Sequence, residues 1–360
     1  MQLDALIDRL TNFRATTYPV ISLYLDGRPD QQGRETYGIF VRKELAAKVR
    51  RWPERSPERE SFHRDVERIL AWLHDVARPS ANGIAIFACA GADDFFEAVQ
   101  LDVPIARHEL FVEATPRIFP LVCLADRYRR HAAAVLDRHT ARIFVFGLGE
   151  TEAVGDIAGE KTRRSEAGGW SQARFQRHID NFTLQHVKEV IAALDDVVRA
   201  DGIDRVVLAV EEDVIPLVRD HLPKPLEERV VEIIRLDTSA GESEVRERTL
   251  EAVRAADARE DADRVARVLD AQRAGGLGAA GMEEVFEALA NGQVHELLIS
   301  QAPNHIPGVG GRSSEEIADE LVTMARRTSA LVRVVEDPTL LASVGGVAAR
   351  LRYRVGGKAA

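Results

Sequence analysis

The spacing of apolar positions changes several times along the chain, and each change marks an element. Residues Pro19–Asp26 alternate apolar and polar with β-branched and aromatic side chains, which predicts a strand ended by Gly27-Arg-Pro-Asp30. Ile39/Phe40, Leu45 and Val49 then recur at helical spacing between Glu35 and Arg51. A second helix starts at Ser56-Pro57, serine as N-cap and proline in the first turn, with Phe62, Val66, Ile69/Leu70 and Leu73 on one face. The run Ile84–Ala90 predicts a buried strand, with further extended pieces at Phe95–Leu101 and Ile118–Leu124.

From about residue 129 the pattern is renewed. Ala132–Asp137 and Arg142–Gly147, separated by Arg138-His-Thr-Ala, suit a hairpin. A polar stretch from Glu150 to Gly169 shows no periodicity. Phe175, Ile179, Phe182, Val187, Val190/Ile191, Leu194 and Val197/Val198 then mark one face of a helix of about 28 residues, stopped by Asp201-Gly202. Val206–Val210 (strand), Val214–Leu222 (helix), Val230–Leu236 (strand) and a charged helix at Glu244–Arg273 complete a layered α/β block. After the glycine turn Ala274–Gly278, helices at Met282–Ala290 and Glu315–Arg327 alternate with strands at Val294–Ser300 and Leu331–Val335. Ser313-Ser314 with Glu316 signals a capping box, and a closing strand follows Gly345-Gly346. The expectation is an α/β protein of three domains, 1–128, 129–273 and 274–360.

Composition narrows the classes. With 360 residues, 45% apolar and 29% charged, the chain can bury several cores and is not predicted to be disordered. It has no run of about 20 apolar residues and no signal-like start, so no membrane partner and a cytoplasmic location are expected. Cys89 and Cys123 read as core thiols, and the ten histidines lack metal-ligand spacing, so neither a metal nor another cofactor is expected. A net charge of −10 argues against a general nucleic-acid coat and against DNA as a partner, but it permits one local basic contact.

Such a contact lies between Lys161 and Arg177, where five basic side chains accompany one acid. Gly168-Gly169 lets the backbone approach a partner closely, and Trp170 follows with an indole able to stack. Ser171 suits an N-cap for the long helix. A loop running into a helix N-terminus and bearing Lys161, Arg163, Arg164, Arg174 and Arg177 fits RNA phosphates, although a merely solvated basic loop has the same residue types.

The stretch Ala167-Gly-Gly-Trp-Ser-Gln-Ala-Arg-Phe-Gln-Arg177 resembles the tip-and-helix segment of archaeal and eukaryotic class 1 peptide-chain release factors, in which Gly-Gly-Gln precedes Ser and an Arg-Phe pair. Ile21–Leu25, Asn82–Phe87 and Gly345–Val355 resemble that family's first and third domains, so the likeness runs through the chain in three-domain order. It is nearest to the superfamily's bacterial, Pelota-like branch. The resemblance implies an RNase H-like middle domain whose loop reaches the ribosomal peptidyl-transferase centre. It also implies a third domain like the kink-turn-binding ribosomal proteins, used to contact the ribosome and a translational GTPase.

Two departures shape what it implies for function. Trp170 stands where the family has its catalytic glutamine, and the nearest glutamine is Gln172. A misplacement of roughly 1 Å costs positioning catalysis about 100-fold, so the change favours a non-hydrolytic factor over a peptidyl-tRNA hydrolase using Gln172. The family's stop-codon tip is absent from Arg51–Ser61, leaving Arg50, Arg51, Arg55 and Arg59 as phosphate contacts or solvated charges. The leading expectation is a factor that occupies the ribosomal A site through Gly168, Gly169, Trp170 and Ser171 and serves hibernation or rescue of stalled ribosomes. Two other readings stay open. One is a metal-dependent nuclease built on Asp137, with Asp156 and Glu160 placed in a loop; the other is an interaction module made of residues 274–360.

Overall fold

The computed structural model describes residues 3–148, 152–158, 172–308 and 310–354, with the backbone alone described for 152–158 and 172–180. In chain order the elements begin with α1 (Leu3–Thr11), β1 (Val20–Asp26), α2 (Tyr37–Lys48), α3 (Pro57–Asp75), β2 (Gly83–Cys89), β3 (Phe95–Leu101), β4 (Glu109–Glu113) and α4 (Phe119–Arg127). There follow β5 (His131–Leu136), β6 (Thr140–Phe146), β7 (Glu152–Ala158), α5 (Gln172–Ala200), β8 (Val206–Val210), α6 (Ile215–His221), α7 (Lys224–Glu227) and β9 (Val230–Ile234). Last come α8 (Glu242–Arg273), β10 (Gly278–Ala280), α9 (Met282–Ala290), β11 (Val294–Ser300), α10 (Ser314–Arg327), β12 (Leu331–Val335) and β13 (Val347–Leu351). The mixed α/β class is as expected. The strands form three sheets, β3-β2-β1-β4, β7-β6-β5-β8-β9 and β10-β13-β11-β12. Among the described residues no helix is long and apolar enough to cross a membrane.

The chain separates into two compact units. One combines residues 1–127 with 260–360, and the other is 128–259. In the first unit, β1 and β2 are buried along almost their whole length. Ile21, Leu23, Ile84 and Ile86 share a core with Val41 and Leu45 of α2 and with Phe62 and Ile69 of α3. Helix α3 starts where the sequence placed it, Ser56 Oγ accepting from the Arg59 N–H at 3.2 Å. Helix α10 carries the full capping box, Ser313 Oγ accepting from Glu316 N and the Glu316 carboxylate from Ser313 N.

The stretch Ile118–Leu124, expected to be extended, is helix α4 instead. Its run of buried apolar side chains has no period that separates a strand from a short helix. The decisive group is remote. Asp319 of α10 accepts from the N–H groups of Ile118 and Phe119 at 2.6 and 2.8 Å, supplying the N-terminal partners that the helix lacks within itself. Helix α1, strand β4 and the short α7 were not expected. Helix α1 is tied to α10 by Arg327, which donates to the carbonyls of Thr11 and Phe13.

The second unit is a sheet between helical layers. Strands β5, β6 and β7 run antiparallel, whereas β5, β8 and β9 are parallel. Ala132, Ala134, Ile143, Val206 and Leu208 face Val187, Val190, Ile191, Leu194 and Val198 of α5. Alternate residues Ala133, Val135, Phe144 and Ala209 face Val245 of α8. Residues Glu150–Gly169 were expected to be loop, yet β7 occupies part of them as an edge strand on β6. Asp156 therefore lies on a strand, in register with Arg142. What holds it is backbone pairing with β6, which leaves no mark in the pattern of side chains. Cys89 is buried, Cys123 is half-buried, both are free, and burial pushes both thiols up.

Asp319 is buried, and desolvation raises its pKa to about 6 against the pull of the Phe119 and Ile118 N–H groups and the Arg117 charge. Asp65 on α3 is likewise raised by burial, to about 7. Both values lie above the ordinary carboxyl range, so the folded chain holds protons that the unfolded chain has released. Their contribution is full below about pH 4 and is lost as pH rises through about 6 and 7. Asp319→Asn should flatten the Asp319 part of that decline in urea unfolding at pH 5 and pH 8. Asp319→Ala, which orphans two buried N–H groups, should cost roughly 2–4 kcal/mol at either pH.

Candidate nucleic-acid interface

The segment that sequence analysis singled out joins β7 to α5. Lys161, Arg163, Arg164, Gly168, Gly169, Trp170 and Ser171 lie outside the described residues, as does Glu160. Gln172, Arg174 and Arg177 lie within the first two turns of α5, where the backbone is described and the side chains are not. What the structure gives is the mount for this segment. One end leaves β7, hydrogen-bonded to β6 from Thr140↔Ala158 to Val145↔Glu152. The other end enters a helix of 29 residues whose later turns are core. Val187 is fully buried and lies 15 residues beyond Gln172, about 22 Å along a helix axis. Both stems of the segment are thus fixed in the same α/β layer structure. His186, beside Val187, is buried, and neither ring nitrogen has a hydrogen-bond partner among the described residues.

The hairpin between β5 and β6 holds Asp137. Its Oδ1 accepts from the N–H groups of His139 and Thr140, and its Oδ2 accepts from Thr140 Oγ1 and Thr238 Oγ1, all at 2.7–2.8 Å. Burial alone would raise this carboxyl, but the four hydrogen bonds outweigh it and hold its pKa below the usual range. Asp137 is a turn-former whose acceptors are already used. Arg138 pairs with Asp213 beside it. Among the described residues no three His, Cys, Asp or Glu side chains are arranged to hold a metal ion. The Thr238 contact was invisible in sequence because 101 residues separate it from Asp137.

The connection between α2 and α3 carries the other basic residues considered. Arg50, Arg51 and Arg55 are exposed and Arg59 is half-buried. Among the described residues none of these four side chains makes an ion pair or hydrogen bond. Trp52 anchors the connection by packing on Phe62, with ring centroids 5.1 Å apart. The start of the last block is also well defined, since α9 begins at Met282 after Gly281 at φ +86°.

Residues 116–254 match the sequence model of bacterial archaeo-eukaryotic release factor family 10. Over these residues the chain is similar to that family. The matched region takes in α4 and nearly all of the second unit, including the basic segment between β7 and α5. The relationship to archaeal and eukaryotic release factors, expected from the Gly-Gly segment, is therefore correct. The chain is also similar to peptide chain release factor subunit 1 of Methanopyrus kandleri, 24% identical over 310 residues, covering 82% of this chain and 73% of that protein. It is 23% identical over 244 residues to the uncharacterized protein YocB of Bacillus subtilis, covering 64% and 92%. A ribosome-bound archaeal Pelota with ABCE1 covers 99% of this chain and 95% of its own, at 16% identity and a TM-score of 0.46.

If Asp137 serves the hairpin, Asp137→Ala should lower the urea unfolding free energy by about 1–3 kcal/mol, with Thr238→Val reproducing a part of the loss. Magnesium should leave the unfolding midpoints of wild type and variants unchanged. A magnesium-dependent RNA cleavage lost in Asp137→Ala would instead make Asp137 a ligand.

Proposed function

We propose that this protein is a ribosome-binding translation factor that occupies the A site with its β7–α5 segment, without reading stop codons. The observation that carries the reading is the sequence Gly168-Gly-Trp-Ser-Gln172. It stands at the entry to a long core-anchored helix, inside the region matched by the release-factor family, with five cations and one acid around it. In this reading the arginines hold rRNA phosphates and position the loop, and Trp170 stacks on a base near the peptidyl-transferase centre. Residues 129–273 act as an RNase H-like domain that presents the loop. Residues 274–360 act as a kink-turn-protein-like domain that meets the ribosome or a translational GTPase, and the work is cytoplasmic. Arg50, Arg51 and Arg55, with no acid partners among the described residues, add phosphate contacts where the family reads codons.

An indole in place of the family's glutamine fills the space a hydrolytic water needs, so we assign the protein to hibernation or rescue rather than to ester hydrolysis. The alternative, favoured by Gln172 lying two residues beyond Trp170, is codon-independent peptidyl-tRNA hydrolysis.

Co-sedimentation with vacant ribosomes should retain wild type and lose most of an Arg163→Ala/Arg164→Ala/Trp170→Ala variant, with binding falling as salt rises. Wild type that stays in the supernatant would end the ribosomal reading. Peptide release from a peptidyl-tRNA–ribosome complex should be absent. Release abolished by Gln172→Ala would convert the protein into the hydrolase.

A further inference from the structure

The last turns of α8 lie close against the sheet β10-β13-β11-β12, and a second site sits there. Arg350 on β13 stands in register between Gly278 of β10 and Glu296 of β11. Gly278 is required by the close approach of the helix, since a Cβ there would lie 2.3 Å from the Val268 carbonyl oxygen and 2.6 Å from the Gln272 nitrogen. Alongside this contact, helix and sheet enclose a half-open cavity of about 470 Å³. That size falls in the range of roughly 300–1,000 Å³ common for small-molecule sites.

Three guanidinium groups and one carboxylate line the cavity. Glu296 is buried, accepting from Arg264 Nη1 at 2.6 Å and lying 3.5 Å from Arg350 Nε. Arg264 also reaches Glu260 at 3.2 Å, so its charge is already committed. Arg267 is exposed and, among the described residues, has no ion pair or hydrogen bond. Arg350 touches Glu296 through Nε, which leaves its two Nη groups available. Two guanidinium forks offer more donors than a carboxylate's two oxygens can use, whereas a phosphate monoester presents three oxygens. The remaining wall is apolar: Val268, Leu351 and Leu277, the last 47% exposed. A bare phosphate would leave that wall uncovered.

We propose that this cleft binds a nucleoside phosphate, with its phosphate between Arg267 and Arg350 and its base against Leu277 and Leu351. The half-open mouth admits either a free nucleotide or one nucleotide of an RNA strand. The site is independent of the β7–α5 segment, so it can fail while ribosome binding holds, and the reverse.

Equilibrium dialysis of the full chain against AMP, inorganic phosphate and a single-stranded RNA tetranucleotide tests it. Wild type should bind AMP more tightly than phosphate. Arg267→Glu, an exposed change at a side chain that pairs with no described residue, should weaken AMP at least tenfold with an unaltered melting temperature. Leu277→Ser should weaken AMP while leaving phosphate unchanged. Tetranucleotide binding without AMP binding, still lost in Arg267→Glu, assigns the strand as the source. Absence of AMP and tetranucleotide binding at millimolar ligand, or equal binding by wild type and Arg267→Glu, overturns the proposal. AMP that binds, but no more tightly than phosphate, overturns its nucleoside part.

Discussion

Helix α4 is held at both ends by side chains about 200 residues away, and the first compact unit depends on that grip. At its N-terminus, Asp319 of α10 takes two backbone N–H groups. At its C-terminus, Asp126 meets Arg333 of β12 at 3.1 Å and accepts from the Val334 N–H. Arg333 is buried and also donates to Asp261 of α8 at 2.6 Å. One buried guanidinium thus ties an early helix, a late strand and α8 together. Burying these charges is costly unless each is paired, so removing one partner strands the others. That penalty gives the junction its specificity: another packing of the three elements would leave Asp126, Asp261 and Arg333 dry and unpaired.

The same logic runs through the second unit on a smaller scale. Arg205 donates to Asp257 of α8 at 3.1 Å, and His131 on β5 meets the buried Thr249 hydroxyl at 3.1 Å. These polar contacts lock α8 to one face of the sheet, while α5 covers the other with aliphatic side chains.

The cation-bearing regions considered for function follow one rule. Where arginines are structural they are paired, as Arg264, Arg333 and Arg205 are. At Arg50, Arg51, Arg55 and Arg267 no acid among the described residues plays that part. In a chain of net charge −10, these exposed guanidinium groups are met by solvent and stay accessible to an anion.

The sequence by itself determined whatever rests on local physics. The Ser56 and Ser313 caps, the hairpin at Asp137, the long α5 and the strands β1, β2, β11 and β12 arise from neighbours a few residues apart. The Gly-Gly segment was legible as a family signature for the same reason, since its residues are contiguous. Tertiary structure decided the rest. Ile118–Leu124 became a helix because Asp319 supplies a cap that no local residue could. Strand β7 formed because β6 offered a hydrogen-bonding edge to a segment without an apolar period. The cleft at Arg267 and Arg350 exists because Gly278, lacking a Cβ, lets α8 close onto the sheet. Arg267 and Arg350 sit far apart in the chain, on a helix and a strand, so only packing could bring them to one cavity.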